Sequence, residues 1–207
     1  MVSGKKSYHR GDVRPRLVEA AVNALRTQPL ESVSLRKLAQ SIDVSHNAPY
    51  MHFADKEALW VAVSDHGFEL LSAKVEAAIS RNSHWKERLM AGCEAYVRFA
   101  MENRQHMLVM FRNATPGMER RLSPKGSEAL QILQREVGAA IAEKHLISDD
   151  PQRLTITVWM LLHGLAMAQI QLGEAAGPFA GIPQAERVTF MLNHLLCGIA
   201  VPDQTGS

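Results

Sequence analysis

SLRKLAQSIDVSHNAPYMHFADKEAL, residues 34–59, is the stretch whose reading decides the fold. Leu35, Leu38, Ala39 and Ile42 recur at spacings of three and four, which places them on one face of a helix. Ser34 stands just before that face, where its hydroxyl can accept a bond from an orphan backbone N–H. Asp43 and Val44 fit a turn. Ser45 is placed to cap a second short helix running through Met51, and Asp55 to cap a third that begins at Lys56. Helix, tight turn, helix is the helix-turn-helix layout, in which the second helix lies in the DNA major groove.

Outward from this stretch the chain reads as helices throughout. Residues 1–14 form a basic arm, with Lys5, Lys6, Arg10 and Arg14 set against Asp12. Such an arm can follow phosphates or enter a minor groove, and equally can be a solvated tail. Pro15 suits the first position of a helix, and Leu17, Val18, Ala21, Val22 and Leu25 form its inner face. The helix from Lys56 is expected to reach about Ser80, too long to serve a small domain alone, so it reads as a connector. Helices are then expected over 84–102, 105–111, 125–145, 151–172 and 184–199, with Pro- and Gly-bearing breaks between them. No run of period two appears. The expected fold is all-α: a three-helix helix-turn-helix domain (15–60) followed by a helical bundle (61–200) and a short tail (201–207), about nine helices in all.

Composition narrows the function classes. The 207 residues carry a net charge of only +2, with 46% hydrophobic and 21% charged residues, as in an ordinary globular protein. Charge is unevenly placed: residues 1–60 hold nine Lys/Arg against six Asp/Glu, and the remainder fourteen against fifteen. The positive excess thus accompanies the reading head, as phosphate contact requires. No signal peptide is legible, so a cytoplasmic location is expected. Residues 154–173 lack Asp, Glu, Lys and Arg over a length that can span a bilayer, but five polar residues break the stretch and it reads as a core helix. Cys93 and Cys197 fit either small buried hydrophobes or a redox pair. The histidines are scattered without ligand-like spacing, so no metal or other cofactor is expected, and no hydrolase elbow, zincin motif or phosphate loop is present.

Ser34, Ala39, Val44-Ser45, Tyr50, His52-Phe53 and Lys56-Glu57-Ala58-Leu59 together resemble the DNA-binding domain of TetR-family transcriptional regulators. Ala48-Pro49-Tyr50-Met51-His52-Phe53 is similar to a subset with a Trp and His-Gly signature in the second domain, and Trp159 with His163-Gly164 stands at the matching distance. The resemblance implies a homodimer that binds a palindromic operator in double-stranded DNA, usually as a repressor, and is released by a small ligand. One departure stands out: the family often has glycine where this chain has Asp43, a residue that tolerates a left-handed turn better than most but brings a negative charge.

The chemistry of the reading head follows residue by residue. Ser45, His46, Asn47 and Ala48 form the leading turn, where Asn can pair with an adenine edge and Ala can meet a thymine methyl. Tyr50 and His52 can bond phosphates; in the resembled family the matching residues flank the backbone. Lys56 adds an ammonium to a helix start that already favours an anion. Ser34 and Arg36, with Lys37, can add backbone contacts from the preceding helix. In the second domain Met90, Tyr96, Met107, Phe111, Trp159 and His163 suit a pocket for a small apolar ligand, though the same side chains suit a dry core. Uncharged faces on 154–172 and 188–196, with Met160, Met167, Met191 and Leu195, suit a two-fold four-helix interface. Two other readings are compatible with the sequence: a DNA-binding regulator controlled by a partner protein, and an all-α enzyme or carrier whose helix-turn-helix is only scaffold.

Overall fold

The computed structural model describes residues 13–112, 123–147, 150–173 and 180–199. Among these residues the secondary structure is helical: α1 (Val13–Leu25), α2 (Leu35–Ser41), α3 (Lys56–Ile79), α4 (Trp85–Glu102), α5 (Arg104–Met110), α6 (Pro124–Ala142), α7 (Pro151–Leu172) and α8 (Gln184–Ile199). Two 3₁₀ turns accompany them, at Leu30–Ser32 and Ala48–Met51. The all-α expectation holds. The ninth expected helix, over 45–51, is the one that the chain winds more tightly. Residues 1–12 of the expected arm and the tail after 199 lie outside the described residues. Arg14 falls inside α1, which starts two residues earlier than expected. Pro15 is therefore its third residue, where a helix has no use for the missing N–H.

By packing, the chain divides into two compact units. The first takes the described residues to Gly67 and those from Gln105 to 112. Its core joins Leu17, Ala21 and Leu25 of α1 to Leu35 and Leu38 of α2, Phe53, and Leu59 and Val63 of α3. Val109 of α5 completes it. The expected inner face of α1 is buried as read. A further tie was not legible: Arg16 Nη2 donates to the carbonyl of Ile42 at 2.6 Å, holding α1 to the end of α2.

The second unit takes Phe68 to Arg104 and the described residues from 123 on. Here α4 packs against α6, α7 and α8, and α7 also against α6 and α8. Gly92 lets α4 approach the rear of α3, since a Cβ there would meet Ile79 at 3.1 Å. Leu154, Val158, Leu162, Leu165, Ala166 and Gln169 form the buried stripe of α7. By length and composition α7 could cross a membrane, but that stripe packs it into the bundle. Helix α6 starts on a Ser123 cap, whose hydroxyl accepts from the N–H of Gly126. It ends with Lys144 left-handed at φ 62°.

One buried ion pair joins α4 to α6. Both oxygens of Glu136 accept from Arg88, each at 2.9 Å, and the carboxylate side chain is only 7% exposed. Such a pair is worth little net, but breaking it strands a buried charge. Arg88→Met is expected to cost about 2–3 kcal/mol, because Arg135 still reaches Glu136, whereas Arg88→Met with Glu136→Leu should recover most of the loss. Urea denaturation of the two variants measures the difference.

Candidate functional site

Helix α2 begins as its sequence requires, with Ser34 Oγ accepting from the N–H of Lys37 at 3.3 Å. It ends in a motif that decides the site. Asp43 is left-handed at φ 56°. Its N–H donates to the carbonyl of Gln40, and the N–H of Val44 donates to that of Ala39. These two bonds are those of a Schellman cap, which normally has glycine in the left-handed place. Asp is among the few residues that adopt this conformation at modest cost, so the turn forms without the usual glycine. Val44 then packs on the first unit's core and aims the following residues.

Those residues form a shorter and tighter element than the helix expected from Ser45 to Met51. After a turn at His46 and Asn47, Ala48–Met51 is a single 3₁₀ turn. Ser45 does not cap it through its side chain; its carbonyl accepts from the N–H of Ala48. The cause is Pro49. In an α-helix the carbonyl of Ser45 would be bonded by residue 49, which has no N–H, so the tighter i to i+3 bond closes instead. The proline ring is buried, and its carbonyl accepts from both His52 and Phe53. Pro49 is thus the anchor of the element, and Phe53, 2% exposed, is core.

This frame leaves Ser45, His46, Asn47 and Tyr50 exposed and Ala48, His52 and Lys56 half-buried. Arg36 and Lys37 are exposed on α2. Asp55 Oδ1 accepts from the N–H of Ala58 at 2.7 Å and caps α3. Lys56 Nζ lies 5.7 Å from the centre of the Trp60 ring, which holds the ammonium near that helix start. Met51 was not foreseen: it is 83% exposed, the most exposed of the large hydrophobic residues described. It ends the 3₁₀ turn next to the exposed Tyr50.

In the second unit three of the expected pocket residues meet. The Tyr96 hydroxyl is 2.8 Å from His163 Nδ1, and the Trp159 ring stacks on His163 with centroids 5.2 Å apart. Burial pushes the Tyr96 phenol well above its ordinary pKa, against a hydrogen bond from Trp159. The phenol therefore keeps its proton, and with Trp159 bonded to its oxygen its O–H is available to donate to Nδ1. Burial lowers the His163 pKa, so the ring is neutral near pH 7 with its proton on Nε2. Met90 is half-buried on α4 but lies roughly 120° around that helix from Tyr96. Met107 and Phe111, expected beside them, are placed in the other unit. Both belong to the first unit, and Met107 is wholly buried there. A seven-residue helix whose buried side is His106, Met107, Val109 and Met110 docks by that side.

Among the described residues, helices α7 and α8 keep an uncovered face. Met160 is 56% exposed, while Met167, Met191 and Leu195 are half-buried. Ile156 and Phe190 are exposed on the same two helices. Gly164 is exposed too, with nothing within 4 Å of where its Cβ would stand. Its small size is therefore not required by any packing among the described residues.

Comparison with known proteins identifies the class. Residues 17–63 match the model of the bacterial regulatory proteins of the tetR family, and residues 89–195 that of the tetracyclin repressor-like C-terminal domain. The chain belongs to the TetR family and is a DNA-binding transcriptional regulator. A protein of unknown function from Rhodococcus sp. RHA1 is 32% identical over 95% of this chain and 100% of its own, with a TM-score of 0.81. A TetR-family transcriptional regulator from Pectobacterium atrosepticum shares the fold, with a TM-score of 0.72 at 20% identity over 95% and 98% of the two chains. The nucleoid occlusion factor SlmA of Marinobacter nauticus is 22% identical over 130 residues, 63% of this chain and 67% of its own.

The left-handed cap sets a mutational expectation. Asp43→Val should destabilise the chain by about 1–2 kcal/mol through backbone strain, while Asp43→Gly should stay within about 1 kcal/mol of the parent. Thermal or urea unfolding of the two variants tests the ordering.

Proposed function

We propose that this regulator is a cytoplasmic repressor that binds a palindromic operator as a homodimer and leaves it when a small apolar ligand enters the second unit. The observation that carries the reading is the α3 helix: it starts at the reading head with Lys56 and continues without a break to Ile79 in the second unit. Whatever biases that helix biases the reading head. Ser34, Arg36, Tyr50, His52 and Lys56 are assigned to phosphates, and Ser45, His46, Asn47 and Ala48 to base edges. The helix start at Lys56 supplies free N–H groups and a cation together.

The ligand is assigned to the neighbourhood of Tyr96, Trp159 and His163, where a hydrogen-bonded polar chain stands in an apolar bundle and could fix a ligand's polar end. Ligand would favour the conformer in which two heads are wrongly spaced, a population shift. Dimerisation is assigned to the uncovered face of α7 and α8. An exposed set of Ile156, Met160 and Phe190 around the bare Gly164 fits close packing of a second copy's helices. Two heads roughly double the phosphate contacts that one short reading element can make.

Fluorescence anisotropy on DNA from upstream of the protein's own gene, at two salt concentrations, tests the first assignment. Binding should be salt-sensitive, and Lys56→Ala should weaken it about tenfold and reduce the salt slope by about 1 per reading head. Unchanged binding and slope in the variant would remove Lys56 from the interface. For the dimer, Met160→Glu and Gly164→Trp are each expected to shift the sedimentation-equilibrium mass from two chains to one; a mass of two chains in both variants would move the interface elsewhere.

A further inference from the structure

One buried titratable group takes no part in the reading surface or in the aromatic cluster: His106 on α5. It is 3% exposed, and its Nε2 lies 2.8 Å from the carbonyl oxygen of Val63 on α3. A carbonyl only accepts, so Nε2 carries the ring proton and donates it. Nδ1 is then a bare acceptor, buried with no hydrogen-bond partner among the described residues. The Val63 carbonyl is the one that the helical ladder pairs with the N–H of Gly67, four residues on, so the imidazole leans on α3 at its glycine. A Cβ at Gly67 would stand 2.7 Å from His106 Nε2 and 2.6 Å from Met110 Sδ. Only glycine admits this contact. An Arg112–Glu57 ion pair at 3.1 Å fastens the far end of the same segment.

The charges facing His106 do not welcome a second proton. The His66 ring of α3 stacks on it with centroids 6.4 Å apart, and Arg26, just past α1, also acts on it. Asp65 lies roughly 200° around α3 from Val63, and Glu57 is engaged by Arg112. The two points where the chain passes between units, after Gly67 and before Gln105, flank the contact closely in sequence.

We propose that His106 is a proton-sensitive latch: neutral, it holds α5 on α3 within the reading-head unit, and protonated, it releases α5. Protonation would place an N–H at Nδ1 with no acceptor and a charge in an apolar site. The sign follows from the direction of the shift. Burial lowers the pKa of His106 below its ordinary 6.5, with His66 and Arg26 acting the same way and the Val63 bond opposing. The released histidine binds protons at higher pH than the docked one. Docking is at full strength above the ordinary value and weakens as pH falls below it toward the lowered one. Acid would therefore act on the reading head directly, separately from any small ligand.

Hydrogen exchange read by mass spectrometry tests the latch on the full chain, at about pH 7.5 and about pH 5.5 with rates corrected for intrinsic exchange. In the parent, amides of residues 104–112 should lose protection in acid, by up to about tenfold for each unit by which the docked histidine lies below its free value. His106→Gln keeps a side-chain N–H for Val63 but cannot titrate, so its protection should not change with pH. Equal protection at both pH values in the parent, or the same acid loss in the glutamine variant, would overturn the proposal. Should that variant fail to fold, imidazole ¹⁵N NMR of the parent decides: a proton on Nε2 and a depressed pKa support the latch, and titration at or above the free value overturns it.

Discussion

A single left-handed residue sets the geometry on which the reading head depends. Asp43 reverses the chain after two turns of helix, and the paired bonds around it satisfy carbonyls that would otherwise be orphaned. With the reversal made, Val44 returns to the core and Pro49 buries its ring. Ser45, His46, Asn47 and Tyr50 have no course left but outward. The Arg16 guanidinium locks the same corner by bonding the carbonyl of Ile42, one residue before the reversal. The same device ends α6, where Lys144 takes the left-handed place and its neighbours repeat the two bonds. There His145 follows the cap and stacks on Trp85 at 5.2 Å, so a ring contact helps hold the strained backbone.

Much of this was legible because it is local. The 3.6-residue spacing of Leu17, Ala21 and Leu25, the caps at Ser34 and Asp55, and the tolerance of Asp43 for a left-handed turn all depend on residues within one or two turns of each other. Other features are less legible, each for its own physical reason. The 45–51 segment reads as a short helix because it is framed like one, and the missing N–H of Pro49 selects a tighter winding confined to Ala48–Met51. Met107 and Phe111 suit a pocket by residue type alone, and their unit is not legible from it. What places them is a glycine about forty residues away that lets α5 dock on α3, and no spacing rule carries that information. The uncovered face of α7 was equally hard to read, since a helix without charge on either side does not announce which side is inside.

Buried polar groups divide by how fully they are satisfied. Glu136 has bonds on both oxygens and joins two helices. Tyr96, Trp159 and His163 form a chain in which the middle hydroxyl accepts from one side and donates to the other. His106 is satisfied at one nitrogen and bare at the other. A fully bonded group favours a single arrangement, whereas a half-bonded one leaves the fold close to a second arrangement in free energy.

The continuity of α3 has a consequence of scale. At 1.5 Å per residue, its 24 residues form a rod about 36 Å long. Tilting a rod of that length by about 5° about one end carries the other through roughly 3 Å, close to the rise of one base pair along B-DNA. A reading element displaced by one base pair faces different base edges. Angular changes too small to disturb the packing of side chains in a bundle are thus large enough, at the end of such a lever, to be read as a change of address.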